Sequence, residues 1–172
     1  MDNLGQDRGM STDISAQMCF AGNPQQVFTM MSDARYLALK CATAESSEFT
    51  VATDQGEKVI TISRIIDVDL PDIARGFLGT PLTINEVQRW AALDGQGCAH
   101  ATLTITVAGA PAEVSGSLTL HPCDVGTCVE LTGKVKVSIP LFGSKAEHII
   151  AQEVQHIIAH EESAGNEWLA TL

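Results

Sequence analysis

Positive charge is scarce in this 172-residue chain: 10 Lys and Arg stand against 21 Asp and Glu, a formal net charge of −11. Phosphate neutralisation needs clustered cations, so nucleic acid is excluded as a partner, and the acidity serves solubility. Long apolar runs are missing too. No stretch approaches the roughly 20 apolar residues that a transmembrane helix requires. The opening MDNLGQDRGM has neither the basic n-region nor the apolar h-region of a secretory signal, and the expected location is the cytoplasm. The five cysteines, Cys19, Cys41, Cys98, Cys123 and Cys128, are odd in number, and reduced thiols are the expectation for such a set without an export signal. Cys123 and Cys128 flank a turn at Asp124-Val125-Gly126-Thr127, where a disulfide or half a metal site would fit. With no second Cys pair nearby they read as ordinary hairpin cysteines. Catalytic signatures are equally absent. There is no GxSxG elbow, and the glycines of Arg75-Gly76-Phe77-Leu78-Gly79 do not form a phosphate loop after a strand.

What is present is one long amphipathic segment at the end of a strand-rich chain. From Ser144 to about Thr171, Ile150, Val154, Ile157, Glu161, Ala164 and Trp168 recur at spacings of four and three, which places all six on one helical face. The carboxylate of Glu161 interrupts an otherwise apolar stripe. Ser144-Lys145-Ala146-Glu147 reads as a capping box that starts this helix, and Gly165 costs about 1 kcal/mol relative to Ala, so the last turn is expected to fray or bend there.

Residues 1–10 read as a polar, disordered lead-in with Met10 as a candidate second start, and residues 11–172 as a single domain. A strand with Ile14, Ala16, Met18 and Phe20 on its dry face comes first. Asn23-Pro24-Gln25-Gln26 then supplies an N-cap, a Pro at the first helical position and a Gln at N3, and Asp33 caps a second short helix through Cys41. Strands are expected at 48–53, 58–66, 82–90, 100–107, 113–120 and 127–139, with a short helix or turn at 69–75. The connections are short, which favours antiparallel neighbours, and Gly133 marks a bend in the last strand. The order is strand, two short helices, about six strands and a long helix: an α+β layer architecture in which one antiparallel sheet carries its helices on one face.

On Asn23-Pro24-Gln25-Gln26-Val27-Phe28, Leu82-Thr83-Ile84 with Trp90, Val137-Ser138-Ile139-Pro140-Leu141-Phe142-Gly143, and Glu161 followed by Trp168-Leu169, the chain resembles the START-like, or SRPBCC, superfamily of helix-grip proteins. Polyketide cyclases and pollen-allergen-type ligand carriers belong to it, and the resemblance is strongest to a bacterial branch of uncharacterised members. It implies a curved antiparallel sheet wrapped around the C-terminal helix, with a cavity between them for a hydrophobic or amphipathic small molecule. No catalytic motif and no cofactor come with it.

The candidate ligand-binding residues are Phe77, Trp90, Phe142, Ile150, Val154, Ile157 and Glu161. Glu161 is the candidate polar group, either a carboxylic acid facing the ligand or a carboxylate paired with Arg64, Arg75 or Arg89. His156 and His160 are four apart and could bridge a metal, but Ile157 stands where HExxH has its glutamate, and a solvated polar face is the preferred reading. Three functions follow: noncatalytic carriage or sensing of a hydrophobic molecule, which is preferred; a cyclase or dehydratase-like enzyme using Glu161 as acid and base; and a structural or adaptor protein with a filled core. The oligomeric state is not specified by any motif.

Overall fold

The computed structural model describes residues 11–172; the expected disordered lead-in at 1–10, with Met10, lies outside the described residues. Strand β1 (Thr12–Phe20) is followed by helices α1 (Pro24–Met30) and α2 (Ala34–Lys40), strands β2 (Ser46–Asp54) and β3 (Glu57–Ile66), helix α3 (Asp72–Leu78), strands β4 (Leu82–Trp90), β5 (Ala99–Val107), β6 (Ala112–Cys123) and β7 (Gly126–Val137), and helix α4 (Gly143–Leu169). The seven strands form one curved antiparallel sheet in the order β1-β7-β6-β5-β4-β3-β2, so the first strand pairs with the last and the remaining neighbours are consecutive in the chain, β3 and β4 being joined through α3. At 27 residues α4 is about 40 Å long, enough to cross the sheet. The α+β helix-grip architecture expected from the element order is the one observed.

Local chemistry accounts for the starts of the short helices. Asn23 Oδ1 accepts from Gln26 N at 2.9 Å while Gln26 Oε1 accepts from Asn23 N at 2.9 Å, the reciprocal bonds of a capping box. Asp33 caps α2 by accepting from Arg35 N and Tyr36 N, and the same Oδ1 also receives the Trp168 indole N–H at 2.9 Å, tying α2 to the far end of α4. Gly133 is held to glycine by close backbone approach: Gly116 lies directly opposite on β6, and a Cβ on either glycine would run into the backbone of the other strand.

Helix α4 also covers a sheet edge. Cys19 N donates to Glu162 Oε2 at 2.7 Å, Asn166 Nδ2 donates to Cys19 O at 3.0 Å, Ala21 N donates to Asn166 Oδ1 at 2.9 Å, and Gln155 Nε2 donates to Ser15 O at 2.9 Å. These four bonds satisfy backbone groups of β1 and the residue just beyond it that face away from β7, where an open edge would otherwise present them to another chain. The opposite edge, β2, has no such cover and is exposed along most of its length.

Three expectations are corrected. The segment Ser144-Lys145-Ala146-Glu147 is not a capping box: α4 begins at Gly143 behind Phe142, without a side-chain cap. Glu147 is instead buried and accepts from Thr12 Oγ1 and Val137 N, because the end of β7 presents an N–H that needs an acceptor there. Gly165 does not loosen the helix, which continues to Leu169; Phe20 and Met30 pack so closely against it that a Cβ would collide with the Phe20 ring. Finally, Cys123 and Cys128 are joined as a disulfide across the β6–β7 hairpin, with Cys19 Sγ 3.3 Å from Cys128 Sγ, because Cys19 and Cys128 are directly paired between β1 and β7.

Candidate functional site

Between the concave face of the sheet and α4 lies a cavity of about 90 Å³. Its wall is mostly apolar: Met18 of β1, Ile66 and Val68, Leu82 and Ile84 of β4, Leu103 and Ile105 of β5, Leu118 of β6, Leu131 of β7, and Ile149, Ile150, Val154, Ile157 and Ile158 of α4. The volume lies below the roughly 300 to 1,000 Å³ of drug-sized pockets, because four isoleucines of α4 reach into the space beneath the helix.

Four ionisable side chains from four elements meet at one end of this cavity. Lys40 from the last turn of α2, Arg64 from β3, Glu86 from β4 and Glu161 from α4 are between 3% and 6% exposed, so the whole group is withdrawn from water. Lys40 Nζ donates to Glu86 Oε1 at 2.8 Å and lies 3.2 Å from Glu161 Oε1, bridging sheet and helix. Arg64 Nη2 donates to Glu86 Oε2 at 2.8 Å. The chain continues along β4, where Gln88 Nε2 donates to Glu86 Oε1 at 2.6 Å and Trp90 Nε1 donates to Gln88 Oε1 at 2.8 Å. The period of two makes this possible, since Glu86, Gln88 and Trp90 share one face of β4.

The titration behaviour follows from that packing. Burial works to raise the Glu86 pKa, but Lys40 and Arg64 outweigh it and hold the carboxyl at about 2. Burial likewise works to lower Lys40, and the facing Glu161 and Glu86 overcome it and raise its pKa. For Arg64 the same opposition ends in a raised value through Glu86 and Glu161. Tyr36, fully enclosed on the cavity wall, is pushed well above its ordinary value by burial and by the two carboxylates, and remains a neutral phenol.

Of the candidate ligand-binding residues, Ile150, Val154, Ile157 and Glu161 line the cavity. Phe77, Trp90 and Phe142 do not. Phe77 is 49% exposed on the outer face of α3, since the buried face of that short helix is made by Ala74 and Leu78. Trp90 is buried beyond the polar end, edge-on to Phe28 with ring centroids 6.2 Å apart and with its N–H committed to Gln88. Phe142 packs at the start of α4 beneath the Lys145 ammonium, 5.3 Å from its ring centroid. Glu161, read as either a free acid facing the ligand or a carboxylate paired with an arginine, faces the cavity and pairs with Lys40 instead of an arginine. Arg64 bonds Glu86, Arg75 bonds Asp69 and Leu70 O, and Arg89 bonds Asp54 and Glu57 outside the cavity. The two histidines of α4 go to separate partners. His156 lies 3.7 Å from Glu153, and His160 Nε2 is 3.1 Å from Leu39 O. Among the described residues no group of three or more His, Cys, Asp or Glu is placed to hold a metal ion.

Glu86, Gln88 and Lys40 are the site residues that the sequence reading overlooked, and Arg64, named there only as a candidate partner of Glu161, pairs with Glu86 instead. The alternation carried a signal for three of these four. Arg64 follows Ile60 and Ile62 on the dry face of β3, and Glu86 and Gln88 sit between Leu82 and Trp90 on that of β4. Charge or amide in a dry row is as conspicuous as Glu161 in its helical stripe. Lys40 gave no such signal, since a seven-residue helix is too short for its inward face to be read from spacing.

With this geometry, the fold is that of the helix-grip, START-like proteins. It is similar to the crystal structure of TTHA0849 from Thermus thermophilus (TM-score 0.60, 17% identity, covering 90% of this chain and 97% of that one). It is also similar to the Zhui aromatase/cyclase from Streptomyces sp. R1128 (TM-score 0.56, 15% identity, 92% of each chain) and to Ara h 8.0201 (TM-score 0.51, 16% identity, 90% and 97%). Identities this low establish the fold alone. No curated protein matches the sequence. The chain belongs to DUF2505, a family of proteins of unknown function whose model matches residues 15–169.

Proposed function

We propose that this protein binds a hydrophobic or amphipathic small molecule, as a carrier or sensor, in the cavity between the sheet and α4. The observation that carries this reading is a mostly apolar wall ending on a buried ionic cluster, the pairing of apolar body and few fixed polar groups that small-molecule sites have. An adaptor with a solid core would have no reason to keep open space beside four buried charges.

A cyclase-like enzyme is the second reading, favoured by the presence of Lys40, Tyr36 and Glu86 beside Glu161 on one cavity wall and by the likeness in fold to an aromatase/cyclase. General acid and base catalysis works best with groups that titrate near the working pH. Glu86 at about 2, with Lys40 and Tyr36 both raised, are far from it, which supports binding over turnover. Native mass spectrometry of freshly purified protein tests the proposal: a co-purifying small molecule, lost on organic extraction and restoring thermal stability when added back, is the expected result. Glu161→Gln separates the two readings, since a carrier retains a bound molecule unchanged in mass whereas an enzyme would stop converting it. Protein that purifies empty and gains no stability from lipid-like compounds would contradict both.

A further inference from the structure

The two ends of the cavity differ. At the inner end Lys40, Arg64, Glu86, Gln88 and Glu161 are each at most 7% exposed. At the other end, along the N-terminal half of α4, Ile149, Ile150 and Glu153 are half-buried. Solvent therefore reaches the cavity between the N-terminal half of α4 and the sheet, and whichever group of a ligand leads meets the ionic cluster.

Two observations constrain the chemistry of that leading group. Lys40 and Arg64 balance Glu86 and Glu161, so the cluster has no formal net charge. Among the described residues no buried side-chain nitrogen or oxygen lacks a hydrogen-bond partner, so no orphaned ion waits there for a counter-ion. A ligand carboxylate or ammonium would bring an uncompensated charge into a dry, balanced site, which is strongly unfavourable. A hydroxyl or carbonyl brings none. It can accept from Arg64 or Tyr36, and a hydroxyl can also donate to Glu161, all three of which face the cavity.

We infer that the site selects an uncharged amphiphile inserted head first, with one hydroxyl or carbonyl oxygen at the leading end and an apolar body extending toward the half-buried isoleucines. This rests on the binding reading above and specifies its ligand class.

The test compares four probes of one chain length at pH 7, namely 1-octanol, 2-octanone, octanoate and octylammonium, by calorimetric titration of delipidated protein. The alcohol and ketone are expected to bind at least tenfold more tightly than either ion. An ion that binds as tightly as the alcohol overturns the neutral-head inference and leaves the cavity reading standing; failure of all four to bind overturns both. A charge-shift series adds a check on folded variants. Glu161→Gln leaves the cluster at +1 and is expected to move the octanoate-to-octanol affinity ratio at least tenfold toward octanoate. Lys40→Gln combined with Glu161→Gln restores neutrality and the preference for octanol. An unchanged ratio across folded members of this series also contradicts the inference. The probe comparison on the unaltered protein stands without any variant.

Discussion

Lys40 is the residue on which the buried cluster depends. Its ammonium lies 2.8 Å from Glu86 and 3.2 Å from Glu161, and Lys40→Met would leave two carboxylates facing Arg64 alone. Breaking a buried pair by removing one partner costs about 3–5 kcal/mol, and chemical denaturation of the variant should show a loss of that order. Acid should act through Glu86. Its carboxyl is held at about 2 in the folded protein against an ordinary 4.5, so its contribution to stability is complete above pH 4.5 and is lost as the pH falls from there through 2. Denaturation midpoints measured across that window should fall steeply in the unaltered protein and less steeply in Glu86→Gln. Glu161 was legible in the sequence because a 27-residue helix displays its periodicity over many turns. Its partner was not, because Lys40 is 121 residues away in the chain, and no local pattern encodes which of several cations will arrive.

Elements were more legible than contacts. The caps at Asn23 and Asp33, the alternation of β1 and β5 and the turn-bounded run of β4 depend on neighbours within a few residues, and these elements lie within a residue or two of where the sequence pattern puts them. The start of α4 was misread for the opposite reason. A Ser-x-x-Glu pattern satisfies the local rule, yet Glu147 serves an N–H at the end of β7 instead. Gly165 shows the same conflict between local propensity and tertiary contact. Propensity alone has Gly165→Ala stabilising α4 by about 1 kcal/mol. The Phe20 ring occupies the space a methyl group would need, so the substitution should destabilise by about 1–3 kcal/mol, measured by thermal or urea unfolding. A rise in stability would mean that α4 does not press on β1 at this point.

At the scale of the whole molecule, the sheet's curvature, the edge cover along β1 and the long reach of α4 have one consequence: an apolar space closed at one end by charges that neutralise one another. No described helix is long and apolar enough to cross a membrane, and the apolar surface that matters faces inward. The present opening of about 90 Å³ is small, so an eight-carbon body must spread the isoleucines of α4 or extend toward the outer end. Ile157→Phe adds bulk to the cavity wall and should weaken binding of 1-octanol at least tenfold in the same calorimetric titration while leaving the fold intact. The most direct test of the central claim is a 1-octanol titration followed by two-dimensional NMR of the isotope-labelled protein. The account predicts saturable shifts at Tyr36, Arg64, Glu86, Gln88 and along 150–161, with Thr104, Ser117 and Thr132 on the outer face of the sheet unmoved; shifts confined to that outer face, or none that saturate, would contradict it.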